Sequence, residues 1–224
     1  MPESNLHIAN GKEILFYGMV FLVMLFALVR LSFHKYFTDL FRLFFRTTLK
    51  QRQLSEQLVQ APLPSVFLNL FFLINAGLYL SFWIDHNKAN PFVSFWWLLL
   101  YVTLGLTFSY LIKFASLKIS GWLFNVPNAV ESYIFLVFLI NKMLGILLLP
   151  ILFVLAFSGE QLFPVALTIS WCLIGALLGY RIFLSFQLIR RQIKVSGLHF
   201  LLYVLGFEIS PLLVLYKAIQ LNFV

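Results

Sequence analysis

The chain has 224 residues, is 62% hydrophobic and only 11% charged, with a mean hydropathy of +0.94 and a net charge of +8. A soluble domain of this length carries about a quarter charged residues, so the composition excludes a water-soluble globule and indicates a polytopic membrane protein. The lone Cys172 excludes a disulfide framework or a multi-cysteine metal centre, and the positive charge suits a membrane surface rather than nucleic acid.

Six apolar runs are each long enough to span a bilayer at about 20 residues: 14–33, 65–84, 92–113, 131–157, 162–186 and 198–221. The expected fold is an all-α transmembrane bundle forming one integral-membrane domain over 1–224. No basic leader with a cleavage site precedes the first run, which is read as retained. Placing the N-terminus outside gathers Arg30, Lys35, Arg42, Arg46, Lys50, Arg52, Lys113, Lys118, Arg181, Arg190, Arg191 and Lys194 on the cytoplasmic side. Positively charged connections stay inside, so this orientation is expected.

After the first span comes "HKYFTDLFRLFFRTTLK" (34–50). Lys35, Asp39, Arg42, Arg46 and Lys50 recur every three or four residues on one helical face; Phe33, Phe37, Leu40, Phe41 and Phe44 form the opposite stripe. A basic amphipathic helix there is expected to lie on the inner surface against anionic lipid headgroups. The alternatives are a continuation of the first span into the cytoplasm, or packing on a partner helix. Pro62 and Pro64 start the second span.

Thr103, Thr107 and Tyr110 give the third span a weakly polar packing face. The stretch "KFASLKISGWLFNVPNAVE" (113–131) is too interrupted to cross by itself. Its Trp122 suits the interface, and Asn125 with Pro127 marks a turn.

In the fourth span Asn141 and Lys142 precede Pro150, which leaves the Ile146 carbonyl without its helical donor. In the fifth, Thr168, Cys172, Gly175 and Gly179 share a face that includes "GALLG", a small-residue pattern for close helix approach, expected within the chain, with dimerisation as the alternative. Gly145 belongs to the same class of packing glycine. Arg181, one turn further, is expected to snorkel to the inner surface.

The sixth span carries Pro211 and has His199, Tyr203, Gly206, Ser210 and Lys217 within about 60° on one face, with Glu208 pointing the opposite way. Glu208 and Lys142 each lie about 11 residues from the cytoplasmic start of their spans, roughly 16 Å deep in a core of about 30 Å. Opposite charges at one depth predict a Lys142–Glu208 ion pair, with Asn141, Pro150, Pro211, Tyr203 and Ser210 completing an intramembrane polar site. Such groups serve either to fix helix packing or to titrate and bind ions. No nucleophile elbow, phosphate-binding loop or paired histidine motif is present, so no catalytic residue, metal or cofactor is assigned.

The stretches "GWLFN", "SYIFLVFLINKMLGILLLPILF" and "FLLYVLGFEISPLLVLYK" together resemble domain-of-unknown-function family 4271, polytopic inner-membrane proteins of Gram-negative bacteria. The resemblance rests on Asn141, Lys142, Gly145 and Pro150, and on Glu208, Pro211, Tyr216 and Lys217. Family members often carry a cysteine and a threonine just before the glutamate. Gly206 and Phe207 stand there here, which argues against thiol chemistry. The resemblance implies no activity. A non-enzymatic subunit or assembly factor of a cell-envelope complex is the first reading, with other membrane proteins as partners. A small transporter or proton-coupled device using Lys142 and Glu208 is the second, and a lipid-modifying enzyme the third.

Overall fold

A computed structural model describes residues 12–45, 58, 61–87, 92, 94–123, 125–159, 161–192 and 206. Six helices make up this region: α1 (Lys12–Ser32), α2 (His34–Phe45), α3 (Pro62–His86), α4 (Phe95–Leu123), α5 (Pro127–Phe157) and α6 (Leu162–Gln192). No strand occurs among the described residues. Five of the helices, all but α2, are long and apolar enough to cross a membrane. Apart from Gly206, the expected span at 198–221, with Tyr203, Glu208, Ser210 and Pro211, lies outside the described residues, as do Arg46 and Lys50.

Prolines set two helix starts. Pro62 and Pro127 occupy the first turns of α3 and α5, where a missing N–H breaks no helical bond. The end of α4 is a backbone cap. Asn125 adopts φ 54°, and the N–H groups of Val126 and Asn125 return to the carbonyls of Gly121 and Trp122 at 3.0 and 3.2 Å. This is the Schellman pattern, which satisfies the last carbonyls before the chain reverses. α4 therefore runs unbroken through Lys113 to Leu123. The helix thus continues ten residues past the expected end of the third span at 113: "FASLKIS" contains neither proline nor glycine, so nothing stops it.

The five long helices alternate in direction. Phe16 near the start of α1 meets Phe157 at the end of α5, with ring centres 6.0 Å apart. His86 at the end of α3 stacks on Phe163 at the start of α6 at 4.1 Å. One end of the bundle thus collects Arg30, α2, Lys113, Lys118 and Arg181, and the other holds Glu13, Asp85 and His86.

α5 is the central helix. It packs against α3, α4 and α6, and 61% of its apolar stretch is enclosed by protein, against 11% for α4. Met143 and Leu152 are fully buried on it. Lipid tails are as apolar as leucine, so close packing rather than escape from water holds such helices together. The closest approach lies at Gly145, where an added Cβ would fall 2.8 Å from Phe72 Cα on α3. Gly77 of α3 similarly faces Thr103 of α4.

α2 does not simply prolong α1. The rings of Phe26 and Phe37 meet at 5.5 Å. Eleven residues along a straight helix would separate their Cα atoms by about 16 Å, so the chain bends sharply at Phe33. α2 then presents three faces. Tyr36, Asp39, Leu40 and Leu43 face the bundle and are buried; Phe37, Phe41 and Phe44 are half-buried; Lys35, Thr38 and Arg42 are exposed. Asp39, expected on the solvated face, is only 9% exposed and is corrected to the bundle side. The geometry explains this: α2 meets the bundle at right angles to its own polar–apolar axis, along the arc that includes residue 39. At the far end of α2, Tyr180 Oη of α6 donates to the Phe44 carbonyl at 3.0 Å and supplies a terminal acceptor with its donor.

Candidate functional site: a buried lysine joining three helices

Lys142 sits midway along α5 and is only 4% exposed. Its Nζ donates to Tyr36 Oη of α2 at 2.9 Å and to Ser65 Oγ of α3 at 2.7 Å. Two of the three ammonium donors are thereby used on hydroxyls from two other helices. Nζ lies 5.6 Å from the Tyr36 ring centre. Being 2.9 Å from the hydroxyl as well, it sits off the hydroxyl edge of the ring, not over its face. The contact is therefore a charge-assisted hydrogen bond and not a cation–π one. Burial raises the Tyr36 phenol above its ordinary pKa of 10.0, while a hydrogen bond with Ser65 opposes the rise. The phenol thus serves as a neutral partner and not as a counter-anion.

The side chain carries the charge well away from its own Cα. Ser65 is the fourth residue of α3, about 4.5 Å from that helix's start at 1.5 Å per residue. Lysine side chains on helices lean toward the N-terminus, so the ammonium reaches the end of α3 where α2 crosses. A depth of 16 Å describes the Lys142 backbone, not its charge. The expected partner Glu208 lies outside the described residues.

Neighbouring polar groups link further helices. Asn141 Oδ1 accepts from Tyr110 Oη of α4 at 3.5 Å, a long contact. Asn75 of α3, fully buried, donates through Nδ2 to the Gly145 carbonyl at 2.9 Å. That carbonyl is one residue before Ile146, whose own helical donor is removed by Pro150; Pro150 itself is exposed and α5 continues through it. Farther along α3, Tyr79 Oη and Ser170 Oγ of α6 are 2.7 Å apart. Among the described residues, no group of three His, Cys, Asp or Glu side chains could hold a metal ion.

The three packing glycines divide. Gly145 is enclosed against Phe72, whereas a Cβ on Gly175 or Gly179 would meet nothing within 4 Å. Thr168, Cys172, Gly175 and Gly179 are all exposed among the described residues. α6 approaches α5 through its other side, where Ala166, Ser170 and Leu177 are buried. Arg181 is only 3% exposed, enclosed by protein instead of snorkelling outward. On α2, Lys35 and Arg42 are exposed.

Sequence reasoning did not single out Tyr36, Ser65, Asn75, Tyr79 or Ser170. A signal existed for Asn75 and Tyr79, which are polar interruptions in an otherwise apolar run. Tyr36 and Ser65 gave none, since both read as ordinary interface residues.

Helices of this length and apolarity, alternating in direction and tied by buried polar bonds, define a polytopic helical membrane protein. The model of the domain of unknown function DUF4271 matches residues 15–219, and the chain belongs to that family. No curated protein and no solved structure matches it.

Proposed function

We propose that this protein is a non-enzymatic helical subunit or assembly factor of a membrane complex in the bacterial inner membrane. The observation that carries the reading is the use made of the polar groups inside the bundle. Lys142, Asn75, Asn141 and Tyr79 are each bonded to a neighbouring helix, so the described interior behaves as a set of cross-links fixing one arrangement of helices. A fixed bundle suits presentation of surfaces to other membrane proteins. Collection of Arg30, Lys35, Arg42, Lys113, Lys118 and Arg181 at one end supports an N-terminus-outside orientation. In that orientation α2 rests on the cytoplasmic surface. Its exposed Lys35 and Arg42, continued in sequence by Arg46 and Lys50, would meet anionic headgroups.

The test is site-directed photo-crosslinking in intact membranes. Probes attach at the native exposed Cys172 and, in a Cys172→Ala background, at Leu31→Cys, Leu104→Cys and Val165→Cys, all exposed positions. The proposal predicts a discrete protein adduct from a subset of these positions. Lipid adducts alone from all four would sink it.

Burial of Lys142 against neutral hydroxyls favours one second reading, a proton-coupled device working through Lys142 and Glu208. That reading predicts proton movement in reconstituted vesicles that is lost in both Lys142→Met and Glu208→Gln. The subunit reading predicts none in the wild-type protein.

A further inference from the structure

The corner between α4 and α5 is a closely packed turn. The Asn125 cap reverses the chain, and the first turn of α5 closes on Gly121, where a Cβ would lie 3.0 Å from Val130 Cγ2. Lys118 Nζ and Glu131 Oε1 meet across it at 2.9 Å, both largely exposed. Between them the corner encloses an open-sided cavity of about 210 Å³, lined also by Trp122 and Asn125. That is room for a group of several heavy atoms, a water occupying about 30 Å³ in the liquid.

Three features bear on what fits. The cavity offers one cation and one anion a few ångströms apart, with zero net charge. Beside it Trp122 is 82% exposed, and Ile119 and Leu123 are also exposed, so the approach to the corner is apolar. Tryptophan in such a place belongs at the headgroup level of a bilayer. An exposed ion pair is held weakly, so a ligand carrying both charges can insert between the partners.

We infer that this corner is a binding site for the headgroup of a zwitterionic aminophospholipid of the phosphatidylethanolamine type. The headgroup phosphate would take Lys118 and the Asn125 amide. The primary ammonium would donate to Glu131, and the acyl chains would run down the exposed apolar face of α4. The chemistry sets the selectivity. A trimethylated choline headgroup has no N–H to donate to Glu131. An anionic glycerol headgroup brings its phosphate beside a carboxylate with no cation of its own.

The test uses the full chain in mild detergent, exposed to equal amounts of phosphatidylethanolamine, phosphatidylcholine and phosphatidylglycerol, with bound lipid counted by native mass spectrometry. Wild type should retain phosphatidylethanolamine several-fold over phosphatidylcholine. Glu131→Gln should bring that ratio close to one, and Lys118→Ala should lower retention of every phospholipid. Lys35→Ala with Arg42→Ala should leave the ratio as in wild type, and all variants should keep the wild-type circular dichroism. Equal retention by wild type, or an undiminished preference in Glu131→Gln, overturns the proposal. Soluble O-phosphoethanolamine is the control for source. Tight binding of it, without discrimination among the lipids, would assign the corner to a soluble ligand and overturn the lipid reading.

Discussion

Replacing Gly145 by alanine perturbs the bundle at its tightest crossing. The new Cβ would stand 2.8 Å from Phe72 Cα, 3.0 Å from its Cβ and 3.3 Å from its backbone nitrogen. Two of these atoms are backbone, so no rotamer change relieves the contact and α3 must move away from α5. Overpacking of this kind costs about 1–3 kcal/mol. The same movement stretches the 2.9 Å bond from Asn75 Nδ2 to the Gly145 carbonyl, worth about 1 kcal/mol. Alanine's better helix propensity returns about 1 kcal/mol. The net expectation is a loss of about 1–3 kcal/mol. Gly175→Ala and Gly179→Ala provide the matched controls, because nothing lies within 4 Å of either new methyl group. They should be neutral or stabilising by up to about 1 kcal/mol. Reversible unfolding by sodium dodecyl sulfate in mixed micelles measures all three. The reasoning fails if Gly145→Ala is as stable as wild type, or if Gly175→Ala is the more damaging change.

Four further outcomes follow from the geometry. In a Cys172→Ala background, Asn87→Cys and Asn125→Cys should react with an impermeant thiol reagent from opposite faces of the membrane, Asn87 from outside; labelling of both from one face would reject the alternating arrangement. Lys35→Glu with Arg42→Glu should weaken retention of anionic lipid by the full-length protein, most strongly at low salt, and unchanged retention would remove the electrostatic part of the account. Tyr36, whose pKa is raised by burial, should ionise only above pH 10, so its contribution to stability is complete below pH 10 and falls as pH rises past it. Absorbance titration of Tyr36→Phe should lack one late-ionising phenol, and loss of an early one would contradict that sign. Arg181→Met should lower the unfolding midpoint more than Arg42→Met, since Arg181 is enclosed and Arg42 is exposed.

Much of the helical framework was legible because its causes are local. Apolar runs near 20 residues, prolines at 62 and 127, and the Asn125 turn act through the few residues beside them. The continuation of α4 past Lys113 was not legible from hydropathy, because Lys113 and Lys118 end the apolar run although no residue there breaks a helix. The site was less legible because its partners are remote in sequence. Tyr36 and Ser65 stand 106 and 77 residues from Lys142, and only the bend at Phe33 brings Tyr36 to it. Nor could glycines of one type be sorted from spacing. Gly145 and Gly175 differ in whether Phe72 lies opposite, which is a property of the neighbouring helix. Arg181 reads as a snorkelling residue from its position, and the surrounding bundle encloses it instead.

The central claim is that Lys142 ties α2 and α3 to α5 through hydroxyl partners, and a double-mutant cycle between Lys142→Met and Tyr36→Phe tests it most directly. Each single variant removes the 2.9 Å bond, and the double variant removes it only once. Unfolding free energies in mixed micelles should therefore show a coupling of about 1 kcal/mol, in the range of polar contacts between membrane helices. A coupling within about 0.3 kcal/mol of zero would mean that the two side chains act independently, and it would contradict the account.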